Sequence, residues 1–333
     1  MSTALQASRR ERPFPDLTEC INHPSGFFAL SPRKDRFTVS DVPGFIAYKE
    51  HGKHLVLMGG VHAPKPRRAP LLDSFLAEAA KRKRRVIVLQ LNEEQIALFA
   101  SRGFTVNQFG SSFALRLSGF TFGGTKRMKL RHKIKRAQQA GLRVVEIGRE
   151  LPDNESTYQQ IYGISDNWLK EKGRKELDFL IGEIGHSGQS QRRIFAVVDA
   201  QDRMLGFITY VPVWGEHAGM LHDLTRRLPD APPGIMELCN AFAIRRFTEE
   251  GIAYLHFGFT PFIVDDRRRS GENRVLATIV RLIGKYGSAI YPALDQVRYK
   301  QKWAPDIVER EYLAYDRLSV RALVDVLRVT QIL

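Results

Sequence analysis

The chain writes one order of elements twice: short apolar runs, a helix, then a further apolar run. The first pass has runs at Phe27–Leu30, Gly44–Tyr48 and His54–Met58, a helix over Leu71–Ala80 and a strand over Val86–Leu91. A helix over Glu93–Ala100 and two strands between Phe104 and Leu117 complete it. The runs are short, rich in β-branched and aromatic residues, and bounded by glycine and proline, which is the pattern of strands. After Gly123-Gly124 come a helix over Thr125–Ala140, a strand over Leu142–Ile147 and a helix over Glu155–Lys172. Strands Arg193–Val198, Leu205–Val211 and Ala218–Leu224 lead into a helix over Gly234–Gly251, and strand Ile252–Phe257 follows. The pattern closes with a helix over Asn273–Tyr286, strands near Gln296–Lys302 and Glu311–Tyr315, and a helix over Ser319–Ile332. Such alternation predicts an α/β (α+β) protein with mixed sheets flanked by helices. The expected division is a leader at 1–25, one unit over 26–122 and a second over 123–333.

Charge separates the two passes. Residues 1–150 hold 27 Lys+Arg and 12 Asp+Glu, a net +15, and residues 151–333 hold 24 of each, a net of zero. A one-sided basic field predicts a polyanionic partner: nucleic acid, an anionic membrane surface, or both. DNA is not among the expected partners. No apolar run approaches the ~20 residues of a membrane span. The polar N-terminus, with Arg9, Arg10 and Arg12, is not a secretory signal. Two cysteines, Cys20 and Cys239, are too few for a disulfide framework or a zinc site. The expected setting is the cytoplasm, with no metal and no cofactor, and a peripheral position at the inner membrane face as a secondary reading.

The excess charge peaks in the helix beginning at Thr125. Lys126, Arg127, Lys129, Arg131, Lys133, Lys135 and Arg136 occupy it without an acid, while Leu130, Ile134 and Ala137 form one narrow apolar stripe. The stripe would dock and the basic remainder would face solvent. Like charges four apart weaken a helix slightly, and a phosphate backbone compensates. A basic amphipathic helix fits anionic lipid equally well, and a solvated surface is the plain alternative.

Chemistry concentrates in residues 219–237. An apolar strand ends in His222, Asp223, Arg226 and Arg227, a Pro/Gly-rich turn follows, and Glu237 sits in the first turns of the next helix. Charges at a strand end beside a helix N-terminus commonly mark a site. Asp223 in a buried strand needs a partner, with Arg226 or Arg227 the nearest candidates, and an ion pair bracing the turn is an even alternative. Glu237 alone is explained by the helix dipole. Read as a strand, 296–302 puts Arg298, Lys300 and Lys302 on one face and Val297 and Tyr299 on the other, which also suits a lysine-protected edge. His256 reads as a structural histidine. Three prolines in the turn after Arg227 remove backbone donors, which argues against a CoA pyrophosphate there.

The basic helix with Leu130-Arg131 and Gly141, Trp168 with Lys175–Ile181, Phe195–Val198, Gly206–Pro212, His222–Arg227, Ala231–Glu237, Gly258–Pro261 and Tyr299–Trp303 together resemble the C-terminal catalytic domain of the phosphatidylglycerol lysyltransferase (multiple peptide resistance factor) family. The resemblance covers nearly everything from Gly26 onward. It implies tandem acetyltransferase-like (GNAT) folds and an aminoacyl-tRNA donor, needing no further cofactor. It implies a catalytic set of Asp223, Arg226, Glu237 and Lys300. His222, Arg227, Tyr299 and Lys302 would bind substrate, and Lys126, Arg127, Lys129, Arg131, Lys133, Lys135 and Arg136 would bind tRNA. Typical members carry a multi-span membrane region that is not found in this sequence. The expected reaction is therefore transfer of an amino acid to a hydroxyl or amine of a soluble small molecule. Aminoacylation of phosphatidylglycerol is the alternative, and acyl-CoA-dependent N-acylation a second. A non-catalytic RNA- or membrane-binding protein is the competing class. The final helix, with Leu318, Val320, Leu323, Val324 and Leu327 against Arg321 and Arg328, is expected to pack on the domain rather than touch a membrane.

Overall fold

A computed structural model describes residues 15–172, 191–266, 269–286 and 293–330. Short helices α1 (Pro15–Thr18) and α2 (Gly26–Ala29) precede β1 (Asp35–Val39), β2 (Val42–His51) and β3 (His54–Met58). Then follow α3 (Lys65–Lys81), β4 (Arg85–Leu91), α4 (Ile96–Ala100) and the long β5 (Thr105–Arg116). The second half comprises α5 (Met128–Gln139), β6 (Arg143–Glu146), α6 (Glu155–Lys172), β7 (Arg193–Val198), β8 (Met204–Val213), β9 (Gly219–Arg227), α7 (Ile235–Glu249) and β10 (Tyr254–Pro261). It ends with α8 (Arg274–Tyr286), α9 (Ala293–Gln301), β11 (Ile307–Tyr315) and α10 (Val320–Val329).

All eleven strands form one sheet, ordered β1-β2-β3-β4-β11-β5-β10-β9-β8-β7-β6. Each half is an antiparallel meander followed by a helical crossover to a parallel neighbour, β3 to β4 and β9 to β10. Each half then gives its last strand to the other. β5 follows β4 in sequence but pairs with β10, and β11 follows β10 but pairs with β4. The two exchanged strands pair with each other along their whole length. A cut at residue 123 therefore does not divide the sheet, and no local pattern announces the exchange, because strand pairing over 200 residues is a non-local choice.

Three local expectations are corrected. Phe27–Leu30 is a helical turn, which keeps Phe27 and Phe28 together in one apolar cluster, where a strand would split them across the sheet. The region from Phe104 to Leu117 is one strand with an irregularity beside Gly110, not two strands. A Cβ at Gly110 would stand 2.4 Å from the Thr260 carbonyl oxygen, so the glycine admits the neighbouring backbone. The segment 296–302 belongs mostly to a helix, α9. Val297, Lys300 and Trp303 recur at helical spacing and are all buried.

The sheet has two covered faces. α7 lies on one, against β7 and β8, and α5 packs on α7, its Leu130, Ile134 and Ala137 joining the cluster that holds Phe195, Ile208 and Tyr210. α2, α8 and α10 lie on the other, around Val211, Leu221 and Leu313. The α5 stripe expected from sequence is the one that docks. α10 lies against β2 and β3. Of the leader, residues 15–25 are described; Lys175–Ile181 and the last residues of the final helix fall outside the described residues.

Candidate functional site

β9 and β10 pair in parallel only through His256↔Leu221, and beyond that point they separate. β9 continues against β8 alone, and β10 turns to β5. The opening carries the charged residues. A bulge shapes it: Ile208 pairs with Thr225 and Tyr210 with His222, so Asp223 and Leu224 together oppose Thr209. In a regular strand, residues three apart point to opposite faces. The bulge resets the alternation, so Asp223 and Arg226 share the α2/α6 face. His222 and Thr225 share the α5/α7 face, where Nε2 and Oγ1 lie 2.5 Å apart.

Asp223 is paired with a residue from the far end of the neighbouring hairpin. Arg192 donates to its Oδ2, and both side chains are buried, at 4% and 0% exposure. The Thr209 hydroxyl also takes part, 3.4 Å from the same oxygen and accepting from the Leu224 amide at 3.0 Å. The Arg192 guanidinium lies over the Phe27 ring at 5.8 Å. Arg226 is buried and stacks on Trp168 of α6, 4.0 Å from the ring centroid. Arg227 is exposed and donates to the Leu228 carbonyl at 3.4 Å. The sequence missed Arg192, a lone arginine before an apolar strand with nothing local to mark it.

Glu237, His222, Tyr299 and Lys302 gather on the opposite face. Glu237 accepts from Lys133 at 2.9 Å and Lys302 at 3.1 Å, tying α5 and the end of α9 to α7. Burial pushes its carboxyl up, and the two ammonium groups outweigh that and hold it below the usual carboxylate range. His222 packs edge-on to Tyr210 and Tyr299, and burial drops its pKa to about 3, so it is neutral at physiological pH. Lys302 also lies 5.5 Å from the Tyr299 ring centroid. Structure thus brings Asp223 and Arg226 together and sets Glu237 apart from them.

Lys300 fills the strand opening. Its ammonium donates to the Gly258 carbonyl at 2.7 Å, the Phe259 carbonyl at 3.2 Å and Thr260 Oγ1 at 2.6 Å. These acceptors lie where β10 has left β9. Burial pushes Lys300 down to about 7, with Glu311 acting against that shift. All three donors are engaged, so the residue braces the opening. Lys300→Met should cost roughly 2–5 kcal/mol by stranding buried acceptors. Chemical denaturation would detect it, and an unchanged midpoint would contradict the bracing role.

Along the α5 surface, Lys126, Lys129, Arg131, Lys135 and Arg136 are exposed, and Arg127 and Lys133 are half-buried. Arg127 donates to the Trp303 carbonyl, and Arg131 donates to the carbonyls of Phe122 and Gly124. Three of the seven basic residues therefore also hold the helix in place.

A cavity of about 500 Å³ that no single segment announces lies on the Asp223 face, lined by His23, Glu94, Trp214, Glu216, Glu309 and Glu311 among others. Its floor is a buried carboxyl. Glu311 is 2% exposed, accepts from the Ser112 hydroxyl through one oxygen, and leaves Oε2 without a hydrogen bond. Burial pushes this carboxyl up to about 8, and burial holds neighbouring His23 near 3. His256 is structural, its Nε2–H donating to the His217 carbonyl, 2.7 Å away. Trp214 stacks on Phe27, which connects the cavity wall to Arg192 and Asp223. Among the described residues no group of His, Cys, Asp or Glu is placed to hold a metal ion.

Comparison with known proteins adds a family. The model described as phosphatidylglycerol lysyltransferase, C-terminal, matches residues 17–315. The phosphatidylglycerol lysyltransferase of Bacillus subtilis is 26% identical over 280 residues, covering 83% of this chain and 31% of that protein. The lysylphosphatidylglycerol biosynthesis bifunctional protein LysX of Nocardia farcinica is 26% identical over 249 residues, covering 74% and 22%. The chain thus spans about a fifth to a third of these relatives. The solved structure of L-PGS from Bacillus licheniformis superposes with a TM-score of 0.78 at 21% identity, covering 95% of this chain and 96% of that one, which supports the fold.

Proposed function

For a chain that belongs to the phosphatidylglycerol lysyltransferase C-terminal family, we propose aminoacyl transfer from aminoacyl-tRNA to the glycerol hydroxyl of phosphatidylglycerol, with a cationic aminoacyl group such as lysyl as the cargo. The relatives named for this lipid turn the reading away from the soluble acceptor favoured by sequence and toward its alternative. The observation that carries the cargo is the acidic cavity on the Asp223 face, floored by a carboxyl oxygen without a hydrogen bond.

In the reaction the lipid hydroxyl attacks the ester carbonyl. The bond to the terminal ribose oxygen breaks, and the hydroxyl proton ends on that oxygen. Asp223 orients or deprotonates the hydroxyl, and its pairing to Arg192 fixes the carboxylate. Arg226, held flat by Trp168, stabilises the tetrahedral oxyanion or holds the lipid phosphate. The ester is already activated, so positioning supplies much of the rate. The exposed basic face of α5 takes the tRNA backbone.

An ammonium in the cavity requires Glu311 ionised. Its folded pKa of about 8 lies above the ordinary 4.5, so the folded carboxyl keeps a proton that the unfolded chain loses between those values. The contribution of this carboxyl to stability therefore falls as pH rises through that window and is constant outside it. Affinity for Nα-acetyl-lysine amide should rise with pH up to about 8, with proton release on binding. In Glu311→Gln both trends should flatten; calorimetry in buffers of different ionisation heat reads them directly. The cargo itself is tested by offering lysyl-tRNA and glutamyl-tRNA together with phosphatidylglycerol vesicles. Preference for lysyl that Glu311→Gln erases supports the reading, and equal use by the wild-type chain refutes it.

A further inference from the structure

One helix carries an apolar ridge that nothing among the described residues covers. Val275, Ile279, Leu282 and Tyr286 of α8 are 70%, 46%, 52% and 67% exposed. They recur at i, i+4, i+7 and i+11, which is one straight line along a helix. Seven large apolar side chains are exposed among the described residues, and these four are the majority. The opposite side of the same helix is already satisfied: Leu276 and Val280 are buried in the cluster beneath it. The ridge is thus surplus to folding. Single exposed apolar residues are ordinary, but an aligned set on one element is not.

Beside the apolar ridge runs a second line, Arg274, Thr278, Arg281 and Lys285, and the helix holds no acid. An apolar ridge flanked by cations is the arrangement of a helix lying in a lipid interface, with side chains in the acyl boundary and cations at anionic headgroups. The helix is firmly seated for this. Asn107 Nδ2 donates to the Asn273 carbonyl at 2.9 Å, and Asn107 Oδ1 accepts the Asn273 amide at 3.2 Å, fixing its start. No helix among the described residues is long and apolar enough to cross a membrane. The cluster under α8 also contains Phe27 and Leu221, so α8 shares the sheet face that presents Asp223.

We propose that α8 docks the protein on an anionic bilayer surface through Val275, Ile279, Leu282 and Tyr286, with Arg274, Arg281 and Lys285 reading headgroup charge. The site rests on the lipid-acceptor reading only in its choice of phosphatidylglycerol as the anionic lipid. Sedimentation with vesicles of phosphatidylglycerol and phosphatidylcholine tests it. The wild-type chain should bind mixed vesicles in a salt-sensitive way and pure phosphatidylcholine far less. Ile279→Ser with Leu282→Ser and Tyr286→Ser should weaken binding by about tenfold or more. Arg281→Ser with Lys285→Ser should abolish the preference for the anionic lipid. Wild-type sedimentation by the apolar variant overturns the proposal. So does a wild-type dimer in sedimentation velocity that this variant dissolves, because the ridge would then be a self-interface.

A second readout separates docking from catalysis. Transfer to a short-chain phosphatidylglycerol below its micelle concentration should be unchanged in the apolar variant, while transfer to vesicles falls. Vesicle binding without transfer to either acceptor refutes the lipid-acceptor reaction and leaves the docking surface standing.

Discussion

Asp223→Asn should lower transfer by about 10²–10⁴-fold and at the same time cost about 3–5 kcal/mol of stability, because it leaves Arg192 charged and buried without its counter-charge. The two losses have different origins and can be separated. Adding Arg192→Gln removes the stranded charge, so the double variant should regain most of the stability and none of the transfer. Recovery of both would make Asp223 a brace for the turn, the alternative that sequence alone left open. Arg226→Ala is the companion test. Its guanidinium rests on Trp168, so its loss should cost packing and transfer together, and near-wild-type turnover would remove it from the site.

The second large effect lies on the basic helix. Glu237 already holds Lys133, so the informative positions are the exposed Lys129, Lys135 and Arg136. Reversing all three to glutamate should weaken tRNA binding by about 10²-fold or more at low salt and reduce the salt slope by about 2–3. These side chains are not part of the core, so stability should change little. An unchanged slope would place the tRNA elsewhere. Glu237→Gln should resemble this variant weakly, through release of Lys133 and a looser α5 rather than through chemistry.

The residues that became legible from sequence were those with a local signature. The α5 stripe of Leu130, Ile134 and Ala137 docks as its spacing required. The charges after Leu221 do mark a place where two strands part. What sequence could not supply was phase and partnership. Asp223 and Arg226 share a face only because a bulge opposes two residues to Thr209, and a bulge has no composition of its own. The buried cation that pairs with Asp223 is 31 residues away, at Arg192. The run from Val297 to Lys302 alternates as a strand does, yet Val297, Lys300 and Trp303 also fit a helix, and burial of Trp303 decides between them. Glu311 sits in a strand that crosses into the other half of the sheet, so its cavity combines residues from 22 to 311 and no segment announces it.

Transfer to lipid is the claim on which the rest depends. Purified protein should be given labelled lysyl-tRNA with phosphatidylglycerol vesicles and a soluble metabolite extract in one reaction. Label should appear in the solvent-extractable lipid as an alkali-labile ester and be lost in Asp223→Asn/Arg192→Gln. Label that stays in the aqueous phase on a small molecule, with none in the lipid, would contradict it.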